Sequence, residues 1–406
     1  MVIKATCSNL YKKAPWLLWA LFFVLASILL VNSSYKSKSG DSQFYTELVE
    51  HLSAKPAGEW IAPKWHGTHG HPYDAYVRDH FLGNVFIGLI LTKLGLPAGH
   101  ALHVFQMLSQ ILSLFLLVGI SGFFIKDNRS PLSLLWALQL IPVAFTYQIR
   151  ANHEQSMMLF TLMAVYAALL STRSLKYLWI VLVGIQGVFL IKGASVIVVP
   201  FLCLGAYLLE TKNLKQTGCF AGILLLLFST LAGTLYFYDH WFREVTGLEF
   251  FSEYWQVQIM QRSLYPSYEQ NVFLNKLVNL SYYLSRCFYY TLPWSLILLV
   301  VLIRNRSCIW AKTKELLRNL ERPENSAILL LAFCGLTYPL IFSLSDRTAS
   351  RYIFPAYYFL GAAMVLGLNV YVSKFRQLVE AIERYGVFPV ASSLWFIAVC
   401  FHLLLR

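Results

Sequence analysis

Ionisable side chains are scarce in this 406-residue chain: Asp, Glu, Lys and Arg make up 13% of it, and only 20 residues are acidic. A soluble enzyme carries about 25% charged residues, so water is excluded as the main solvent of this one. Nucleotide-binding signatures are absent too. No G-x-x-x-x-G-K-[ST], no G-x-G-x-x-G and no Ser-His-Asp arrangement occurs, which leaves nucleotide hydrolysis and serine chemistry without support. The seven cysteines include no CxxC and no paired spacing, so they read as small apolar fillers. No internal repeat, low-complexity tract or large soluble domain is visible, and one domain over 1–406 is expected.

What fills the sequence instead is hydrocarbon: 57% of residues are hydrophobic, with 29 Phe, 24 Tyr and 11 Trp. Apolar runs fall at 14–32, 101–125, 130–148, 156–171, 177–191, 194–210, 218–238, 281–303, 326–344, 352–372 and 387–405. A helix rises 1.5 Å per residue, so runs of about 18 residues cross a hydrocarbon core of roughly 30 Å. An all-α, polytopic membrane bundle of about eleven spans follows. The first run has Lys4, Lys12 and Lys13 before it and no small-residue cleavage site close behind, so it is read as an anchor rather than a signal peptide. The short segment 81–95 is placed as a helix at the membrane surface, because counting it as a crossing would invert everything after it.

The net charge of +13 does not indicate nucleic acid, because the basic residues cluster at the ends of apolar runs. KDNR (126–129), STRSLK (171–176), ETKNLK (210–215), 304–322 and 373–384 all fall on one face, assigned to the cytoplasm by the positive-inside rule. The opposite face receives the long first loop, 33–100, with its amphipathic helices. It also receives RANHEQ (150–155), the Lys192-Gly193 turn, a loop at 239–280 with a surface helix, and SDRTASR (345–351).

That outer face carries the polar groups with chemical potential. Asp41 opens GDSQFYTEL just beyond the first span; it is either a carboxylate for catalysis or the N-cap of a helix. Residues 64–80 contain His66, His69, His71 and His80 with Asp74 and Asp79. The HxxHxH spacing admits a divalent ion, and a polar loop of hydrogen-bonded histidines is the default reading. Asp79 precedes the 81–95 helix and is the second carboxylate candidate. Arg150, His153 and Glu154 sit between two apolar runs, where ionisable groups are costly unless they line a cavity; capping of helix ends is the competing reading. Lys192 interrupts VFLIKGASVIVVP as hairpin punctuation or a phosphate contact, and Arg262, Arg286, Arg347 and Arg351 add outer cations.

In order along the chain, these segments resemble the GT-C glycosyltransferases that use lipid-linked sugars, the branch of the aminoarabinose lipid A transferases and protein O-mannosyltransferases. Asp41, Tyr45 and Glu47 resemble that family's opening acidic signature, and PAGEWIAP resembles the segment after it. RDHFLGNVFIGLILTKLGLP is similar to the family's surface helix, without its Lys-Pro-Pro, and puts Asp79 and His80 near the acidic-Lys positions. YQIRANHEQ places Arg150 and Glu154 on an Arg-carboxylate motif, LIKGAS places Lys192 on a Ser-Lys-Gly hairpin, and FFSEYWQVQIMQR ends on Arg262. YYTLPWSLILLVVL and FSLSDRTASRYIFPAYYF, with Arg351, resemble the last two. Gln258, Ile259 and Gln261 stand where lipid A relatives often carry a histidine, so no zinc is carried over, and a C-terminal soluble domain is not expected.

The resemblance implies transfer of a sugar from a polyprenyl-phosphate carrier to a lipid, glycan or protein acceptor, with inversion and no required cofactor. It implies Asp41 as base, Asp79 and Glu154 orienting acceptor or sugar, and Lys192, Arg262 and Arg351 on the donor phosphate. Arg150 would position Glu154, and Tyr45, His80 and His153 would position substrate. It further implies a bacterial inner-membrane protein with its site on the periplasmic side. A transporter or flippase of lipid-linked sugars would use the same cations without a base. A purely structural subunit would need none of the clustered charges.

Overall fold

The computed structural model describes residues 40–64, 76–78, 80–126, 129–144, 150–260, 272–304, 322–345 and 348–384. The expected spans 14–32 and 387–405 lie outside them, as do the histidines of 66–71. Among the described residues the architecture is helical, with one isolated bridge between Lys64 and Tyr76. Six stretches are long and apolar enough to cross a membrane, or seven if one bent pair is a single span.

Helix α1, Gly40–Ser53, is amphipathic. Its Tyr45, Leu48, Val49 and Leu52 recur at helical spacing and are buried. They pack with Val85 and Leu89 of α2, Gly83–Lys93, and with Ala101 and Leu102 at the start of α3, Ala98–Phe124. Segment 81–95 is thus a short helix wedged into one end of the bundle. Gly83 permits this, because a Cβ there would come 2.6 Å from the Leu190 carbonyl oxygen.

After α4, Arg129–Ala137, come α5, Glu154–Ser171, and α6, Leu178–Lys192, with α7, Val198–Thr211, behind it. The run expected at 130–148 is helical over α4, and residues 145–149 lie outside the described ones. Helices α6 and α7 are joined by a 3-10 turn, Gly193–Ile197, and both pack on α5. The Gln186 amide of α6 donates to Thr230 of α8, Leu214–Thr246, at 2.8 Å, while Tyr207 of α7 stacks on Phe220, ten residues earlier in α8. Because α6 and α7 both lie along the 18-residue α5, the chain turns between Lys192 and Val198. Gly193, at φ +54°, makes the turn.

Two spans differ from the sequence reading. The run expected to end at 238 continues as α8 to Thr246, because its polar end satisfies itself: Arg243 pairs with Asp239 and Glu249, both at 3.1 Å. Asp239 also accepts from the backbone N–H groups of Phe250 and Phe251 at 2.7 and 2.8 Å, folding the chain back over the bundle. The run expected at 281–303 is two helices, α9, Val272–Tyr290, and α10, Trp294–Arg304, bent by 99°. Pro293 has no N–H to continue the ladder; the Ser295 hydroxyl donates to the Phe288 carbonyl at 2.7 Å, and the Thr291 hydroxyl joins its own backbone N–H on the Cys287 carbonyl.

Helices α11, Pro323–Phe342, and α12, Phe354–Tyr371, are antiparallel neighbours, tied at one end by the Tyr371 hydroxyl donating to Asn325 at 2.5 Å. A final helix, α13, Ser373–Arg384, follows. The helix directions give the bundle two unlike ends. Lys126, Arg173, Lys176, Lys212, Lys215 and Lys374 flank helix termini at one, and the starts of α5 and α12 and the α6–α7 turn meet at the other.

Candidate active site

The second end gathers charged groups from distant stretches. Asp41 lies in the first turn of α1 and forms an ion pair with Arg351, which immediately precedes α12. It is therefore no N-cap: its partner is a cation more than 300 residues away in sequence. Both side chains are about a third exposed, at 36% and 31%, so this pair borders the open part of the site.

Behind it the groups are buried. Tyr352 follows Arg351, and the Lys192 ammonium sits 5.6 Å from the centre of its ring. Lys192 also contacts Nε2 of His153, which is 3% exposed. Burial, then the charge of Lys192 and then His80, hold the His153 imidazole well below its ordinary range, so it is neutral. A charged ammonium can only donate, so Nε2 accepts and the ring proton is assigned to Nδ1. That Nδ1 has no hydrogen-bond partner among the described residues. The Tyr45 ring meets the imidazole edge-on, at 5.6 Å between centroids.

Glu154, 2% exposed, begins α5 with its Oε1 3.8 Å from His153 Nε2, beyond hydrogen-bond range. Its close donor is the Asn152 amide, at 3.1 Å. Arg150 and Lys192 both act on it electrostatically. The 152–156 turn is fixed from behind by α2 and α3. The Asn84 amide donates to the Asn152 carbonyl at 3.0 Å, and its oxygen accepts from Gln106 at 2.9 Å and from the Ser156 hydroxyl at 3.3 Å. Gln106 Oε1 accepts from the Ser156 backbone N–H at 3.0 Å. In an apolar bundle such groups are costly unless satisfied, and here each holds another.

The turn carrying Lys192 has its own clamp. The Tyr254 hydroxyl accepts from the Ala194 N–H at 3.0 Å and lies where a Cβ on residue 193 would be. Tyr254 ends a helical turn, Phe251–Tyr254, that passes into a π-helical turn, Trp255–Met260. This segment is joined to the first loop by Arg78, 3.7 Å from Glu253.

Of the residues singled out from sequence, Asp41, Tyr45, His80, Arg150, His153, Glu154, Lys192 and Arg351 thus belong to one cluster. Asp79 and Arg262 lie outside the described residues. Sequence reasoning missed Asn84, Gln106, Asn152, Tyr254 and Tyr352. The isolated amides within the apolar runs of α2 and α3 were a signal; Tyr254 and Tyr352, two among many aromatics, gave none. Among the described residues no group of three His, Cys, Asp or Glu could hold a metal ion.

Fold and cluster together define a class, a multi-pass membrane protein of GT-C-like fold with a cluster of charged groups at one end. Among the solved structures it is similar to are two of ArnT from Cupriavidus metallidurans. The one bound to undecaprenyl phosphate matches with a TM-score of 0.62 at 16% identity, over 89% of this chain and 62% of that one. The apo state matches with a TM-score of 0.58 at 18% identity, over 89% and 61%. The chain thus spans about three fifths of the length of these structures. By sequence, no family model and no curated protein matches.

Proposed function

We propose that this protein is a membrane glycosyltransferase that moves a sugar from a polyprenyl-phosphate carrier to an acceptor hydroxyl or phosphate at the extracytoplasmic face, with inversion. One observation carries the reading: a carboxylate, Asp41, and the ionisable groups of three other stretches, Arg351, Lys192 and His153–Glu154, converge at one end of an apolar bundle. Support comes also from the fold, shared with an ArnT structure that holds undecaprenyl phosphate.

In this reading Asp41 takes the acceptor proton as its oxygen attacks the anomeric carbon. The bond from that carbon to the phosphate oxygen breaks, and polyprenyl phosphate leaves. Lys192, Arg351 and Arg262 stabilise the charge gathering on the phosphate. Glu154 and Asp79 orient sugar or acceptor, with Arg150 positioning Glu154 and Tyr45, His80 and His153 shaping the pocket. The donor's own phosphate ester supplies the leaving group, so the chemistry calls for no metal or organic cofactor. In this reading the site faces the periplasm of a bacterial inner membrane, and the basic opposite end of the bundle supports that orientation through the positive-inside rule.

The bent α9–α10 pair is the one feature that favours a flippase, since transporters place broken helices around their substrates. Mass spectrometry of glycolipids and envelope glycans from cells with and without the protein separates the two. Transferase activity removes one sugar from one acceptor in the deletion strain, and Asp41→Asn reproduces the loss. An unchanged glycan profile, with head-group crossing of purified lipid-linked sugar in proteoliposomes, would establish the flippase instead.

A further inference from the structure

At the basic end, opposite the charged cluster, a cavity of about 440 Å³ opens between α3, α4 and α5. This is a size that takes a small-molecule ligand. Its wall mixes apolar and polar surface: Val118, Phe123, Pro131 and Leu170 line it together with Tyr166 and Arg173. Tyr166 and Arg173 are seven residues apart, so the cavity runs roughly 10 Å along the bundle axis. Two glycines of α3 hold it open. A Cβ on Gly122 would meet nothing within 4 Å, and one on Gly119 would approach the Tyr166 ring at 3.3 Å.

Arg173 is the unusual member. It follows the C-terminus of α5, where a cation that merely capped the helix would turn back onto the last carbonyls. Its guanidinium instead lies 4.1 Å from the centre of the Phe123 ring, at the cavity, and makes no hydrogen bond or ion pair among the described residues. Lys126, three residues beyond Phe123, is exposed at the same end. A cavity of mixed apolar and polar lining, bordered by exposed cations at the basic end of the bundle, is complementary to one kind of molecule: an amphiphile with an anionic head.

We propose that this cavity is a binding site for an acidic phospholipid of the leaflet opposite the charged cluster. The phosphate would sit on Arg173, with Lys126 beside it, and an acyl chain would lie over Gly119 and Gly122 against Tyr166. A planar guanidinium suits a phosphate with two parallel hydrogen bonds, and its stacking on Phe123 fixes the plane before the lipid arrives. Basic pockets between spanning helices are suited to such head groups.

The test is native mass spectrometry of the full chain, released from nanodiscs of phosphatidylcholine alone or mixed with phosphatidylglycerol. The wild type is expected to retain phosphatidylglycerol and to shed phosphatidylcholine. Arg173→Gln should lower retention about five- to tenfold, as expected for loss of one head-group cation. Gly122→Leu, whose added side chain points into open space, should fill the cavity and lower retention as much, with the unfolding temperature unchanged in lipid-free detergent. Glycerol 3-phosphate at millimolar concentration should not displace the lipid. Equal retention of both lipids, wild-type retention in both variants, or displacement by glycerol 3-phosphate would each overturn the proposal.

Discussion

Replacing Asp41 by Asn separates a base from a strut, because the two roles predict opposite movements in two measurements. As general base, the carboxylate accounts for roughly 10²- to 10⁴-fold in rate, about 3–5 kcal/mol of barrier, and the amide cannot take the proton. As a strut it would hold Arg351 in place. The ion pair is about a third exposed on both sides, so its worth to stability is at most about 1 kcal/mol and the variant folds. The phosphate is where the roles part. The neutral amide leaves Arg351 without a competing anion; at about 6 Å in a water-like dielectric, that relieves about 0.7 kcal/mol of repulsion on a bound phosphate, roughly threefold in Kd. A lower local dielectric of about 20 would raise this to nearly 3 kcal/mol, but the exposure of the pair favours the smaller figure. The expected signature is therefore transfer at least a hundredfold slower, with undecaprenyl phosphate bound about threefold more tightly. Transfer is followed by mass spectrometry in nanodiscs using donor extracted from the producing cells, and binding by titration with the lipid phosphate alone. Transfer within threefold of wild type, or binding weakened in step with rate, would refute the assignment of Asp41 as base.

Three further outcomes follow from the same geometry. The unfolded imidazole of residue 153 binds a proton below about pH 6.5 and the folded one does not, so stability should fall by about 1.4 kcal/mol per pH unit below that point. In thermal melts from pH 7.5 to 5, His153→Gln should remove that slope; curves that remain parallel would show a protonated His153. Gly193→Ala should cost about 1–3 kcal/mol, since φ is +54° and the new Cβ overlaps the Tyr254 hydroxyl, and adding Tyr254→Phe should recover the steric part only. Denaturation showing no change would mean that the turn has another shape. Asn84→Leu should lower stability by about 1–3 kcal/mol and slow transfer while leaving undecaprenyl-phosphate affinity near wild type, because it loosens the Asn152–Glu154 turn and leaves Lys192 and Arg351 in place. Loss of phosphate binding instead would tie Asn84 to the cations.

How much of this could be read from the sequence depends on whether a residue's setting is local. Hydrocarbon length and charge at run ends are local properties, so α3, α5, α6, α11 and α12 sit close to the runs read as spans. Tyr45, Leu48, Val49 and Leu52 announce the buried side of α1 by spacing alone. The errors arose where the chain bonds to itself. The polar end of α8 looks like loop until Asp239 and Arg243 are seen to satisfy each other and the turn after them. The bend before α10 shows only a Pro in an apolar run, and what caps the broken ladder is visible only in three dimensions.

The site follows the same division. Ionisable groups beside apolar runs marked Asp41, Glu154, Lys192 and Arg351, because burial makes such groups expensive wherever they lack partners. Which partner each one takes is a long-range fact. Asp41 had a sound local explanation as a helix cap, and the structure replaces it with an ion pair to Arg351. That exchange bears directly on chemistry: a capping carboxylate faces its own helix, whereas one paired with the cation next to Tyr352 and Lys192 stands at the exposed edge of the charged cluster. Asn84 and Gln106 make the complementary point. Their amides bind the backbone of the 152–156 turn rather than a ligand, so the polar residues most out of place in the apolar runs serve to hold Glu154 still. Rate should therefore respond to α2 and α3, which carry none of the reacting groups, as well as to the residues that would touch substrate.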